Sequence, residues 1–165
     1  MNPILNRPSK TTYNLNGPLA NYLDAVTKQW LLSVPDANPA ILDMFADRDR
    51  KPSRDQVPWA GEFAGKYLTS AVQILRLTND PTLKEYIHSF VTNFVSHQDA
   101  DGYLGPWPKR YRLAGKTPNV KQSSGEARTH PTWDSWGHYH AMLGLILWYE
   151  DTKDNAVLKS VEKMA

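Results

Sequence analysis

Apolar positions recur along most of this chain at the spacing of helix faces, and Pro- and Asn-containing stretches break the pattern into segments. Residues 1–17 are polar with scattered Pro and Asn, and are predicted to form an extended arm. From Pro18 onward, Leu19, Tyr22, Leu23, Val26 and Trp30 share one helical face, and Pro18 suits the first turn. The stretch SVPDANP stops that helix, Ile41 to Phe45 allows a short helical turn, and residues 46–58 read as a charged loop. Residues 59–78 predict a long helix with Phe63, Tyr67, Leu68, Ala71, Ile74 and Leu75 on one stripe. Gly61 and Gly65 each cost that helix about 1 kcal/mol relative to Ala, which points to close packing or ligand approach at its N-terminal end.

Asp80 and Pro81 then read as the N-cap and first position of a third helix, whose Leu83, Tyr86, Ile87, Phe90, Val91, Phe94 and Val95 form a strong apolar stripe. From His97 to about Thr132 the periodicity disappears. A loop of that length inside a compact domain commonly carries function. Helix resumes from Trp133 to about Asp151, with Trp136, His140, Leu143, Gly144 and Leu147 expected on one face. Asp154 caps a last helix carrying Val157, Leu158, Val161 and Met164.

A repeat organises these segments. An apolar helix ends at Thr78-Asn79-Asp80 and another at Thr152-Lys153-Asp154, and in each case the Asp caps the helix that follows. The units are helical hairpins, which need stacked neighbours to bury both faces. The chain is therefore predicted to be all-α, an open arc of antiparallel hairpins over residues 18–165 that further hairpins would complete. A small finished helical bundle is the alternative.

Composition narrows the function classes. Nineteen Lys and Arg against seventeen Asp and Glu give a net charge of +2, which suggests neither a nucleic-acid nor a membrane partner. The apolar run Ala141 to Tyr149 is about half a membrane span. Residues 1–17 lack the apolar core of a signal peptide, and compartment is left open between cytoplasm and periplasm or exterior. No Cys is present, so this chain offers no disulfide, thiolate nucleophile or Cys-ligated metal. No HExxH, GxGxxG or GxxxxGK[ST] motif occurs. Six Trp and eight Tyr are many for one domain; such rings serve either as core or as faces for sugar C–H groups.

Candidate chemistry falls in blocks at helix N-termini and in the long loop. In Trp59-Ala-Gly-Glu62, Glu62 suits either a ligand hydroxyl or acid–base work, or simply a first turn favoured by the helix dipole. In His97-Gln98-Asp99-Ala-Asp101-Gly102-Tyr103, the Asp101-Gly102 pair reads first as a tight turn. Tyr103 and Trp107 beside it suit sugar contact. In Trp133-Asp134-Ser135-Trp136-Gly137-His138-Tyr139-His140, the two histidines diverge by about 200° around a helix and cannot share a metal in the i, i+4 manner. The loop 109–128 sets Lys109, Arg110, Arg112, Lys116, Lys121 and Arg128 against one acid, Glu126. It reads as either a solvated loop or an electropositive rim that favours acidic polysaccharide ahead of nucleic acid.

With these residues laid out, the chain resembles the β-L-arabinofuranosidase family, glycoside hydrolase family 127, a bacterial domain family. The resemblance runs from about Pro18 to the C-terminus and rests on WAGEFAGKYLTSAVQILRLTNDPTL, HQDADGYLG and WGHYHAMLGLILWYEDT in that order and spacing. It implies the first part of an (α/α)6 toroid and a sugar contact at His140, the position matching the His of the family's Gly-His-Leu block. The family's Gly is Tyr139 here and an acid three residues on is Leu143; its Asp-Gly-Tyr-Leu block, often followed by Asn-Thr, continues as Gly105-Pro106-Trp107. The resemblance also implies a Cys nucleophile in a zinc site of Cys and Glu ligands, with a Glu acid/base. All are expected C-terminal to Ala165, leaving no catalytic residue, metal site or cofactor in this chain, with zinc possible in the full-length enzyme.

The sequence is thus read as part of a retaining hydrolase of L-arabinofuranosyl or related plant-glycan linkages, inactive alone and partnered by the remainder of its catalytic domain. His140, His138, Glu62, Asp101, Tyr103, Trp107 and Trp136 are its candidate substrate-binding residues. The alternatives are a non-catalytic helical-repeat module that binds glycan or protein, and another α/α-toroid enzyme such as an unsaturated uronyl hydrolase or a sugar epimerase.

Overall fold

Each Thr-x-Asp corner closes a helical hairpin by the same backbone return and an Asp cap. The computed structural model describes residues 11–113, 116–117, 120–121, 127–128 and 131–165. Within them, α4 (Glu62–Thr78) turns into α5 (Pro81–Ser96), and α6 (Asp134–Thr152) turns into α7 (Asn155–Met164). At the first corner Asn79 is left-handed with φ 51°, and its N–H returns to the Leu75 carbonyl at 2.8 Å; at the second, Lys153 has φ 58° and its N–H returns to Tyr149 at 2.8 Å. These are αL caps, here closed by Asn and Lys rather than Gly. The Asp80 carboxylate accepts the Leu83 N–H at 3.0 Å and that of Asp154 accepts the Ala156 N–H at 2.8 Å, capping the second helix of each pair.

The two hairpins join through α4 and α6, which run parallel. Gly61 lies beside Gly137, Gly65 against the His140–Ala141 peptide, and Arg76 at the far end beside Leu147 and Asp151. Small residues let the backbones approach this closely. A Cβ at Gly65 would stand 2.3 Å from the His140 carbonyl carbon, and one at Gly144 would stand 3.0 Å from the Gly65 oxygen. Close packing, the first of the two expectations for this glycine, accounts for Gly65. At the opposite end Arg76 donates to the Leu147 carbonyl at 2.8 Å and pairs with Glu150 at 2.9 Å and Asp151 at 2.6 Å. The parallel neighbours therefore share one N-terminal end, and α5 returns the loop after His97 to that same end.

Ahead of the hairpins lie α1 (Gly17–Val26), α2 (Val34–Ala37) and α3 (Ala40–Ala46). The stretch SVPDANP, expected to be a simple stop, holds the single turn α2. Two expected faces are shifted. Between α1 and α2 the chain widens into a π turn over Thr27–Leu31, and the extra residue moves the register so that Leu31 is buried and Trp30 exposed. On α6 the buried stripe is Gly137, Ala141, Gly144, Leu145 and Trp148, which shares Gly144 with the expected Trp136, His140, Leu143, Gly144, Leu147 set and lies one residue round from the rest. The close seam with α4 selects the small residues. Phe45, Leu68, Val72, Leu83, Ile87, Phe94 and Leu145 form the core, with Phe45 edge-on to Phe94 at 4.9 Å. Among the described residues, no helix is long and apolar enough to cross a membrane.

Candidate functional site

The loop that follows α5 is built inward, on ion pairs and a buried tyrosine. Asp101-Gly102 forms the expected turn: Gly102 has φ 91°, its N–H donates to the Asp99 carbonyl at 2.9 Å, and the Tyr103 N–H donates to the Asp101 carboxylate at 3.2 Å. The Asp99 carboxylate binds the guanidinium groups of Arg48 and Arg112. Arg48 also donates to the His97 carbonyl at 2.8 Å and Arg112 to that of Trp107 at 3.2 Å. Burial raises the Asp99 carboxyl and the two arginines more than reverse it, leaving its pKa below the ordinary value.

Tyr103 is only 5% exposed, with the Arg112 guanidinium 3.9 Å over its ring. Its hydroxyl donates to Asp134 at 2.8 Å and accepts the Trp107 N–H at 3.1 Å. Burial, reinforced by the Asp134 carboxylate, drives this phenol's pKa far upward. Trp107 is 2% exposed. The structure therefore sets Tyr103 and Trp107 inside the loop, where each ring is spent on packing. Asp134, at the head of α6, also accepts the Leu113 N–H at 2.7 Å and so ties both ends of the segment to that helix.

The two histidines of α6 leave on different sides of the helix, as their spacing requires. Nε2 of His138 accepts the Leu104 N–H at 3.2 Å, which places the ring proton on Nδ1. Burial lowers its pKa, with Arg112 adding to the effect and Asp134 opposing it. His138, Tyr103 and Asp101 line one cavity of about 560 Å³, together with Arg112, Met142 and Lys163.

The other side of α6 holds a second group. Glu62, the first residue of α4, is 7% exposed; one carboxylate oxygen accepts Lys66 Nζ at 2.7 Å and the other accepts the Trp136 indole N–H. Lys66 also lies 5.7 Å over the Trp136 ring. His140 meets Trp136 edge-on at 4.6 Å and Tyr139 at 4.9 Å, and its buried Nε2 has no hydrogen-bond partner among the described residues. Burial raises the Glu62 carboxyl, and Lys66 and Trp136 outweigh it, so its pKa is lowered. Burial and the Lys66 charge lower that of His140, keeping the ring neutral at pH 7. Glu62, Trp136 and His140 thus come together, apart from the His138–Asp101–Tyr103 group.

The order of these blocks along two parallel helices finds its counterpart among known proteins. The family model described as β-L-arabinofuranosidase, GH127 catalytic domain, matches residues 19–165. The chain belongs to this GH127 family. A search of curated proteins finds no match. Among solved structures, a GH127 β-L-arabinofuranosidase from Geobacillus stearothermophilus T6 superposes with TM-score 0.64 at 15% identity, over 93% of this chain and 25% of the other. At that identity the likeness is one of fold. It agrees with the all-α hairpins expected for the first part of an α/α toroid, and the chain spans about a quarter of that enzyme's length.

The zinc that GH127 membership implies does not fit the residues present. The chain has no Cys, and among the described residues no three His, Asp or Glu side chains converge as a metal site. The expected electropositive rim is also reduced. The Arg112 side chain is 9% exposed and held by Asp99, leaving Lys109, Arg110 and Lys116 as the described exposed cations of that stretch. Glu126 lies outside the described residues, and of Lys121 and Arg128 only the backbone is described, in a short antiparallel pairing of Val120–Lys121 with Ala127–Arg128. Lys66 and Asp134 fall inside the sequence blocks that begin at Trp59 and Trp133, but the sequence alone gives neither a role. Lys66 could have been found from its i, i+4 spacing to Glu62, whereas Asp134 matters only through partners distant in sequence.

Proposed function

We propose that the full-length protein carrying this chain is a glycoside hydrolase of L-arabinofuranosyl or related plant-glycan linkages, and that this chain supplies one wall of its sugar pocket. The observation that carries the reading is the neutral His140 ring beside Glu62 and Trp136, with a buried nitrogen that has no hydrogen-bond partner among the described residues. A buried polar atom of this kind calls for a ligand or water. A sugar hydroxyl can satisfy His140 Nε2, while the exposed part of Trp136 meets C–H groups of the ring.

Glu62 orients rather than transfers protons. Its lowered pKa and two strong hydrogen-bond donors keep it ionised, the opposite of what a general acid needs. The nucleophile and proton donor are expected outside this chain, in the retaining reaction that the resemblance to the family implies. Asp101 and His138 border the neighbouring cavity and are assigned to polar contacts at its rim, while Tyr103 and Trp107 hold that rim in place.

The test is His140→Ala in the full-length enzyme, assayed on an aryl L-arabinofuranoside beside an unsaturated uronide. KM for the arabinofuranoside should rise about tenfold for a lost hydrogen bond to a buried group. Unchanged kinetics on both substrates would remove His140 from the pocket, and activity on the uronide alone would transfer the protein to a different toroid chemistry.

A further inference from the structure

Three of the exposed aromatic rings lie at the shared N-terminal end of α4 and α6: Trp59 at 39%, Trp133 at 48% and Trp136 at 44% exposure, whereas Trp107 and Trp148 are each at 2%. Trp136 is engaged by Glu62 and Lys66. Trp59 and Trp133 are not part of that group. They pair with each other, ring centroids 5.6 Å apart and planes at 53°, a tilted arrangement that leaves much of each indole in water.

Their placement is fixed by backbone. Trp59 sits in the turn before α4 and Trp133 immediately before α6, and the Trp133 N–H donates to the Pro58 carbonyl at 3.4 Å. Two residues beyond Trp59 and four beyond Trp133, Gly61 and the nearby Gly137 hold the helices together. The pair is thus set before any ligand arrives, which reduces the ordering cost of binding.

Resting on the glycosidase reading above, we propose that Trp59 and Trp133 form a second carbohydrate subsite, which stacks on the ring of a sugar beyond the one whose bond is cleaved. The patch suits a sugar better than an apolar helix, because hydrogen-bonding groups border it: Glu62 and Trp136 stand three residues beyond Trp59 and Trp133. Lys66 is half-exposed and the Glu62 carboxylate lies just past Gly61. A carbohydrate ring meets indole with C–H groups while its hydroxyls reach the polar atoms. An apolar protein surface laid on the same patch would strip water from the Lys66 ammonium without replacing it. The substrate class that follows is an arabinofuranose oligosaccharide or a side chain on a longer glycan.

The experiment compares an aryl L-arabinofuranoside with an arabinofuranose trisaccharide, using the full-length enzyme and Trp59→Ala and Trp133→Ala. Each variant should lower kcat/KM on the trisaccharide about tenfold relative to the aryl substrate, chiefly through KM, and Trp59→Phe should recover most of the loss by keeping a ring. An unchanged ratio between the substrates in both Ala variants overturns the subsite while leaving the glycosidase reading intact. Failure of the wild-type enzyme on both substrates would instead overturn the reading on which the subsite rests. A second measurement needs no variant. The trisaccharide should protect Trp59 and Trp133 from oxidation by N-bromosuccinimide, read by peptide mass, and arabinose should not; equal oxidation with and without trisaccharide refutes the proposal.

Discussion

Replacing Gly65 by Ala tests the seam on which the whole site is mounted. Considered as a helix residue alone, Gly65 is a defect, and Ala should stabilise α4 by about 1 kcal/mol. The structure predicts the opposite sign. The new methyl carbon would stand 2.3 Å from the His140 carbonyl carbon, 2.4 Å from its oxygen and 2.5 Å from the Ala141 nitrogen. All three are backbone atoms in the middle of α6 and cannot swing aside. Reaching ordinary contact near 3.4 Å requires the helices to part by roughly 1 Å, and overpacking of this kind costs about 1–3 kcal/mol, at times more.

Two further glycines supply an internal scale. A Cβ at Gly144 meets Leu68 and the Gly65 oxygen at 3.0 Å, so Gly144→Ala should be mildly destabilising. A Cβ at Gly137 has its nearest neighbour, the Gly61 carbonyl carbon, at 3.5 Å, so Gly137→Ala should be neutral or stabilising by up to about 1 kcal/mol. Urea unfolding of the full-length protein, followed by circular dichroism, should rank the variants Gly137→Ala, then Gly144→Ala, then Gly65→Ala from most to least stable. Parting the helices also separates Glu62 from Trp136, so Gly65→Ala should raise KM as well. A Gly65→Ala protein as stable as the parent would show that α4 and α6 are not in contact at this register.

Two other outcomes follow from buried polar groups. Tyr103→Phe removes the hydroxyl that serves both Asp134 and the Trp107 N–H, and should cost about 1–3 kcal/mol, seen as a lower urea midpoint; an unchanged midpoint would mean that this network contributes nothing net. Stability should also fall with acid in two stages. His138 and His140 have pKa values below 6.5 in the fold, so they bind protons more readily unfolded, and stability present above pH 6.5 is lost as pH falls through their folded values. Glu62, lowered from 4.5, adds a further loss below that pH. Glu62→Gln should reduce the lower stage, which Asp47 and Asp99 share, and enlarge the His140 part of the upper one, because the Glu62 charge opposes the lowering of that ring's pKa; denaturation midpoints from pH 3 to 8 measure both.

What the sequence revealed, and what it did not, divides along local and distant causes. The hairpin corners were readable because Asp80 and Asp154 act within three residues of themselves. The amphipathic face of α5 was likewise plain, because Leu83, Ile87, Phe90, Val91 and Phe94 all point to one core. The sequence reads the inward face of α6 one position early, at Trp136 and His140, because large rings suggest a core; the small Gly137 and Ala141 are what let α4 come close, and Gly144, common to both readings, lies on the seam. A regular 3.6-residue period puts Trp30 on the inner face, and the π turn over Thr27–Leu31 turns it out. Tyr103 and Trp107 could not be separated from exposed sugar platforms by spacing alone; Arg112, which covers the Tyr103 ring, comes nine residues later across irregular chain.

One corner of the fold links segments that the chain keeps far apart. A methyl carbon on Gly102 would stand 1.8 Å from the Lys163 oxygen, and the Gln98 amide joins the Gly102 and Ser160 carbonyls at 2.8 Å each. The last turns of α7 therefore act as a stop against which the Asp101-Gly102 turn is seated. A tilt of α7 would be transmitted through that turn to Tyr103 and on to Asp134, so whatever packs on the outside of α7 helps to set the shape of the cavity that Asp101 and His138 border.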